Sequence, residues 1–133
     1  MTAPYPTRPR RGRPEADIQR QIVDTLRMVL PRGSIVHHSA NEVGFSGHGA
    51  RLRQAMLVGM GVHPGFADLI VLAEGRAVFL EIKSKAGRLS QAQKEFRDTV
   101  QAQGFGWALV RSTDDALVAL AALGVRTRIV RSP

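Results

Sequence analysis

Three ionisable residues, Asp68, Glu81 and Lys83, have side chains that could do chemistry together. Two carboxylates placed side by side repel each other, and a divalent cation such as Mg²⁺ or Mn²⁺, which takes oxygen ligands, offsets that repulsion. The backbone carbonyl of Ile82 could supply one more oxygen. At such a site a water could attack a phosphodiester while the metal stabilises the developing charge, and the lysine could orient the nucleophile or neutralise the phosphate. The alternative is structural: a salt bridge between Lys83 and either carboxylate.

A predicted β-hairpin brings these residues together. Two apolar runs, residues 67–73 and 76–83, are separated only by a Glu-Gly step, which is typical of a tight turn. This turn places Asp68 directly opposite Glu81, where Cβ atoms lie about 4.5–5.5 Å apart. Because side chains alternate along a strand, Lys83 lies on the same face.

Two further polar residues each have a functional and a structural interpretation. Glu15 lies at the edge of a helical apolar stripe, from which it could reach a metal directly or through a water. A glutamate in a first helical turn also complements the helix dipole. Gln93 follows Ser90 by three residues, which fits a capping box, yet this helix N-terminus should also lie near the site and favour phosphate. The sequence leaves both alternatives open.

The remaining pattern predicts the elements that position these side chains. Helices are predicted from Pro14 to the Pro31/Gly33 break, over residues 50–58, from Ser90 to Gly104 and over 113–123. Strands are predicted over 34–38, in the hairpin, over 107–111 and, as a last edge strand, over 125–130. Residues 39–49 are expected to form a loop. The main order of helix, strand, hairpin, helix, strand and helix predicts an α/β sandwich with a mixed central sheet flanked by helices.

The composition fits one globular domain. The chain has 133 residues, of which 44% are hydrophobic and 23% charged, enough to bury a core. The absence of cysteine excludes disulfides and thiolate metal sites. No apolar run reaches the roughly 18 residues that a membrane span needs, and the basic N-terminus lacks the apolar core of a signal peptide. We therefore expect a cytoplasmic protein with no membrane partner.

The charge favours a polyanionic partner. The net charge is +8 and the isoelectric point is near 11.4, which indicates nucleic acid, although a basic soluble surface is the alternative. Four arginines fall in residues 1–13, which we predict to be a flexible basic arm preceding a folded domain over 14–133. The arm could lie on phosphates or act as a solubilising tail.

Four basic residues nearer the predicted site are candidate DNA contacts. Arg51 and Arg53 lie on the predicted short helix, and Lys85 and Arg88 lie in the connection after the hairpin. All four could bind phosphates. For the two helical arginines, a solvated helix face is the alternative.

Three segments together resemble a known family. They are residues 61–69 (GVHPGFADL), residues 79–83 (FLEIK) and residues 87–93 (GRLSQAQ). Their combination of Gly-x-x-Asp, Glu-x-Lys and Leu-Ser-x-x-Gln is similar to the virus-type replication-repair nuclease (VRR-NUC) domain of the PD-(D/E)XK nuclease superfamily. The resemblance covers roughly residues 14–111. Alanine stands at Ala67, where the superfamily commonly has proline.

The resemblance implies a metal-dependent DNA endonuclease with a PD-(D/E)XK nuclease-like fold. It assigns Asp68 and Glu81 as ligands of Mg²⁺ or Mn²⁺, Lys83 as the catalytic lysine, Glu15 as the first-helix acid and Gln93 as the glutamine after Leu-Ser. Small members similar to this chain are homodimers that act on branched DNA such as four-way junctions, so the same is expected here.

Two other classes of function remain as alternatives. A non-catalytic DNA-binding module could retain the nuclease fold, although a decayed site would tend to lose one of Asp68, Glu81 and Lys83. An interaction protein localised by its basic arm would leave the converging carboxylates unexplained.

Overall fold

The computed structural model describes residues 14–39 and 48–128. In chain order these form α1 (Pro14–Val29), β1 (Ile35–His38), α2 (His48–Gly59), β2 (Leu69–Ala73), β3 (Arg76–Ile82), α3 (Gln91–Ala102), β4 (Gly106–Val110) and α4 (Thr113–Ala122). The described strands form one sheet in the order β1-β2-β3-β4, in which β1, β2 and β3 are antiparallel and β4 is parallel to β3. The predicted α/β fold with a mixed sheet is confirmed.

The hairpin of β2 and β3 has the predicted register. Leu69 lies opposite Leu80, so the residues just beyond this pair, at the end away from the turn, also face each other. The turn residues Glu74 and Gly75 have φ values of 53° and 77°. Two consecutive positive φ angles are those of a type I′ turn, whose twist matches that of antiparallel strands.

Helices cover both faces of the sheet. On one face, α1 and α4 bury an aliphatic core, in which Ile22 and Leu26 of α1 pack with Leu80 and Ile82 of β3 and with Leu120 of α4. The one-turn spacing of Ile22 and Leu26 puts them on one side of α1, as predicted. This packing brings the first turn of α1 close to the end of β3 at which the candidate residues lie.

On the other face, α3 packs on a cluster of aromatic rings. Phe96 of α3 is buried and meets Phe79 of β3 edge-to-face, with ring centroids 5.2 Å apart. Phe66 meets Phe96 in the same manner at 4.7 Å. Such T-shaped pairs contribute about 0.5–1.5 kcal/mol each beyond their buried area. Because Phe79 and Glu81 are two residues apart on β3, this cluster and the candidate site share one face of the sheet.

The predicted edge strand over residues 125–130 is wrong over 125–128, where the structure has no strand. Gly124 has a φ of 85°, and the Val125 N–H donates to the Leu120 carbonyl, which is a Schellman cap on α4. The Val125 side chain is buried in the aliphatic core. The Arg128 N–H then donates to the Val29 carbonyl at the end of α1. The segment therefore caps two helices instead of extending the sheet.

Three other predictions lie partly or wholly outside the described residues. The basic arm at 1–13 is outside, as are most of the loop predicted for 39–49 and the last part of the edge strand. Residues 48 and 49 belong to α2, which begins two residues earlier than predicted. None of the helices within residues 14–39 and 48–128 is long and apolar enough to cross a membrane.

Candidate active site

The end of the hairpin places two carboxylates together. Glu81 is the second-to-last residue of β3, and its side chain lies on the α3 face with 1% of the residue exposed. Asp68 immediately precedes β2, and its Oδ2 accepts a 2.7 Å hydrogen bond from the Ile82 backbone N–H. The Asp68 carbonyl accepts from the Ser39 N–H at 2.9 Å, which ties it to the end of β1. Asp68 is therefore fixed to the strands on both sides.

Glu81 has partners on one of its two oxygens. Gln93 Nε2 donates to Glu81 Oε1 at 2.6 Å, and Lys83 Nζ lies 3.9 Å from the same oxygen. Within the described part of the chain, Glu81 Oε2 is buried and has no hydrogen-bond partner. An unpaired buried carboxylate oxygen is costly, so this atom calls for a cation or a proton.

The pKa of Glu81 reflects this environment. Burial raises the pKa of its carboxyl from an ordinary 4.5 to about 8, and the neighbouring Asp68 charge adds to the increase. Lys83 acts in the opposite direction, because a nearby cation favours the carboxylate form. A raised pKa at a carboxylate pair in a cleft is typical of a functional site.

Gln93 caps α3, as its sequence position predicts, and its side chain also contacts the carboxylate site; a role of this helix end in phosphate binding stays a prediction. Its side-chain Oε1 accepts from the Ser90 N–H at 2.9 Å, and the Ser90 hydroxyl accepts from the Gln93 N–H at 3.2 Å, which completes the capping box of α3. The amide nitrogen of the same side chain donates to Glu81. The cap of α3 is therefore joined directly to the carboxylate site.

Glu15 reaches the site from the first turn of α1. Its Oε1 lies 3.5 Å from the Ser84 N–H, just after β3. Gly87 lies between Glu15 and Lys83, since a Cβ built at Gly87 would be 3.1 Å from Glu15 Oε1 and 3.3 Å from the Lys83 side chain. The acid, the lysine and this loop are thus packed together at the edge of the site, and the role of Glu15 there stays a prediction.

The candidate residues open onto one cleft of about 270 Å³. Glu15, Asp68, Glu81, Lys83 and Gln93 all line it. No group of three or more His, Asp or Glu side chains among residues 14–39 and 48–128 is arranged to hold a metal ion. Metal binding by Glu15, directly or through a water, stays a prediction. Asp68 and Glu81 alone would need backbone or water oxygens to complete a metal site.

The other walls come from α2 and from the loop of residues 61–66. Gln54, Leu57 and Val58 of α2 line the cleft. His63 also lines it; its Nδ1 lies 2.8 Å from the Pro64 carbonyl, and its ring meets Phe96 edge-to-face. The sequence motifs marked this loop but gave no reason to expect it to pack on α3.

The four predicted DNA contacts are exposed around this cleft. Arg51 and Arg53 lie on α2, within one turn of its cleft-lining residues, and Lys85 and Arg88 lie between β3 and α3. None of the four is among the lining residues, so they flank the cleft rather than form it. Their contact with DNA stays a prediction.

Sequence reasoning did not single out Arg111, which contacts the loop behind the site. Its Nη1 donates to the carbonyl of Gly87 at 2.8 Å and also to that of Ser84. The sequence predicted that Arg111 ends a strand, but its position next to this loop follows from the parallel pairing of β4 with β3, which the structure shows.

The fold matches a solved structure described as "VRR_NUC domain protein". The TM-score is 0.64 and the sequence identity is 22%, over 85% of this chain and 89% of the other. No protein-family model and no curated protein matches the chain. The structural match confirms the resemblance to a VRR-NUC domain at the level of the fold, and function must be argued from the site itself.

Proposed function

We propose that the protein is a Mg²⁺- or Mn²⁺-dependent deoxyribonuclease that hydrolyses phosphodiester bonds at the cleft formed by Asp68, Glu81 and Lys83. The observation that carries the proposal is the buried Oε2 of Glu81, which has no hydrogen-bond partner among the described residues, beside a second carboxylate. A divalent cation would satisfy that oxygen and offset the repulsion between the two carboxylates.

The donor set suits a hard cation. Asp68 and Glu81 would hold it with carboxylate oxygens, and Ile82 with its backbone carbonyl. The Ile82 N–H points to Asp68. The N–H and C=O of one strand residue point to the same side, so this carbonyl faces the Asp68 side of β3. Water would fill the other positions, since Mg²⁺ keeps several waters. The bound ion would act as a Lewis acid and lower the pKa of water at the site.

The other residues of the site would bind and orient the reacting groups. Lys83 lies within reach of Glu81, so its ammonium would orient the attacking water or stabilise charge on the phosphate. Gln93 holds Glu81 in place through its 2.6 Å hydrogen bond. Glu15, near the Ser84 amide, would orient water at the edge of the site.

Basic residues flanking the cleft would bind the DNA backbone. Arg51, Arg53, Lys85 and Arg88 are all exposed. Contacts of this kind add affinity without sequence preference. From the family resemblance we propose that branched DNA, such as a four-way junction, is the preferred substrate. The cytoplasmic location remains a prediction from the sequence.

We propose a homodimer, because the described residues of one chain hold one set of Asp68, Glu81 and Lys83, and symmetric cutting of a junction needs two active sites. The surface of α2 supports this proposal. Leu52 and Met56 of α2 are 59% and 53% exposed, and Met60, just after it, is 76% exposed. Apolar side chains grouped on one exposed helix are typical of a protein interface.

A cleavage panel tests the proposed function. Labelled four-way junction, flap, duplex and single-stranded DNA are incubated with Mg²⁺, Mn²⁺ or EDTA. Wild type is expected to cut with either metal and not with EDTA. Glu81→Ala and Lys83→Ala are expected to lose cutting while remaining folded and bound to DNA. Glu74→Ala removes an exposed carboxylate at the opposite end of β3, so it controls for charge and should cut normally.

Cutting by folded Glu81→Ala, or undiminished cutting in EDTA, would remove the basis for the assigned site. DNA binding by wild type without cutting under any metal would instead favour a non-catalytic DNA-binding module.

A further inference from the structure

We infer that Arg111 is a positioning residue of this site, which holds the loop of residues 84–87 in the form that aligns Glu15 and Lys83. The inference rests on the proposed function, because it concerns residues assigned to DNA cutting. Its structural part concerns the loop alone and can be measured without any activity.

One guanidinium nitrogen of Arg111 meets three carbonyls of the loop. Arg111 Nη1 donates to the carbonyl oxygens of Ser84, Lys85 and Gly87, the last two at 3.3 and 2.8 Å. The Gly87 N–H also donates to the Ser84 carbonyl at 3.0 Å and closes the turn. Hydrogen bonds from a charged donor are roughly twice as strong as neutral ones. The three carbonyls of the loop therefore point at the Arg111 guanidinium, which fixes the orientation of their peptide groups.

The held loop contacts the two functional candidates in different ways. The Ser84 N–H points to Glu15 Oε1, and the carbonyl of the same residue, in the next peptide, accepts from Arg111, so Ser84 links the arginine to this carboxylate. Gly87 lies against both the Lys83 side chain and Glu15, with room for no extra atom without displacement. Moving the loop would therefore shift the lysine and the acid together.

Arg111 is itself anchored at its backbone. It follows β4, whose last residue accepts from the Lys83 N–H at 3.1 Å. The Arg111 N–H donates to Asp115 Oδ2 at 2.9 Å, and the next residue, Ser112, is the N-cap of α4. The guanidinium thus connects the sheet and α4 to the loop.

The first arm of the test measures cutting. Arg111→Met keeps the apolar stem and removes the donors. We expect kcat to fall about 10- to 100-fold, because small displacements of aligned groups cost up to about that much. KM is expected to change less than about threefold, since Arg111 does not line the cleft. Arg111→Lys should restore part of kcat. Arg126→Met is the matched control, because Arg126 pairs with Glu74 at the hairpin turn.

The second arm measures amide hydrogen exchange without DNA or metal. The Ser84 and Gly87 amides are expected to exchange about tenfold faster or more in Arg111→Met than in wild type and Arg126→Met. Unchanged exchange in folded Arg111→Met overturns the inference whatever the cutting result. Faster exchange with unchanged kcat also overturns it. If the Ser84 and Gly87 amides are protected in wild type but wild type cuts no DNA, the proposed function is contradicted while the loop contact of Arg111 stands. If Arg111→Met does not fold, Arg111→Lys takes its place, with smaller changes expected in the same directions.

Discussion

Gly65 lies directly against the backbone of Ala92 in the first turn of α3. A Cβ built at Gly65 would be 2.2 Å from the Ala92 carbonyl oxygen and 2.7 Å from the Gln93 nitrogen. The φ of Gly65 is also positive, at 74°. This contact seats the loop before Asp68 on the helix whose cap holds Glu81, so one glycine joins the two sides of the site.

Gly65→Ala is therefore expected to be far more disruptive than alanine at another glycine with positive φ. Gly33, with a φ of 87°, has open space around its Cβ position and isolates the cost of backbone strain, about 1–2 kcal/mol. Gly65→Ala adds a clash with backbone that cannot rotate away, for a total of about 3 kcal/mol or more. Urea denaturation of both variants measures the difference. Equal losses of unfolding free energy in the two variants would show that α3 moves away from the added Cβ at no cost in stability.

Gln93→Ala is expected to destabilise the protein more than Gln91→Ala. Both residues lie in the first turn of α3, but the Gln91 side chain bonds Glu95 on the surface, whereas the Gln93 side chain bonds Ser90 and buried Glu81. Loss of a donor to a buried carboxylate costs about 1–3 kcal/mol. The two free energies of unfolding, measured in EDTA, give the comparison. A loss no larger than that of Gln91→Ala would mean that the bond to Glu81 adds nothing to stability.

Metal-free protein is expected to become less stable as the pH rises from 5 to 9. The folded pKa of Glu81 is about 8 and its ordinary value is 4.5, so between these values the folded state holds a proton that the unfolded state has released. The stabilisation is complete below about pH 4.5 and is lost through pH 8. At about 1.4 kcal/mol per pKa unit, it is on the order of a few kcal/mol.

Glu81→Gln isolates this dependence, because an amide of similar shape does not titrate. The stability difference between wild type and Glu81→Gln should change with pH, whereas that between wild type and Glu74→Gln, at an exposed carboxyl, should lack this decrease toward pH 8. A constant difference for Glu81→Gln would show that its carboxyl titrates normally.

Mn²⁺ is expected to raise the melting temperature more at pH 8.5 than at pH 6.5, because an ion competes with the proton held by Glu81. A ligand at 100 times its Kd stabilises a folded protein by about 2.7 kcal/mol. Asp68→Asn should lose most of this increase, and Glu95→Gln, on the exposed side of α3, should keep it. An equal increase in Asp68→Asn would place the metal elsewhere.

Two carboxylates placed on the apolar surface of α2 are expected to dissociate the proposed homodimer. Leu52→Glu/Met56→Glu would put two carboxylates into the apolar interface, and sedimentation velocity at micromolar concentration should then give a monomer mass. Val118→Glu is the control, because Val118 of α4 is 70% exposed and lies outside α2. A wild-type monomer that cuts DNA would contradict the dimer.

Local patterns predicted most of the framework. The Glu74-Gly75 step fixed the hairpin register, and with it the opposition of Asp68 and Glu81, because a two-residue turn leaves one register. The capping box of Ser90 and Gln93 is equally local. Val125 was misassigned because a β-branched residue after a glycine also suits the start of a strand, whereas in the structure the cap of α4 buries it.

What the sequence did not reveal depends on contacts between distant segments. That Arg111 meets the loop after β3 follows from the packing of β4 beside β3, and the sequence carries no short motif for it. The seating of Gly65 on α3 is likewise a matter of close backbone approach, which residue type alone does not specify. Among the described residues, the Glu81 Oε2 atom has no hydrogen-bond partner, and this could be recognised only once its burial was known.

The contact between Glu15 and Ser84 spans 69 positions of the chain, and Arg111 approaches the same loop from 27 positions downstream. Bringing such distant segments together has an entropic cost, so we expect these contacts to form late in folding. During synthesis, the hairpin carrying both carboxylates emerges before the arginine that holds the loop. A ribosome-bound fragment ending before β4 would therefore contain the acidic pair without a complete cleft. On the proposed function, the protein would become able to cut DNA only when β4 has joined the sheet.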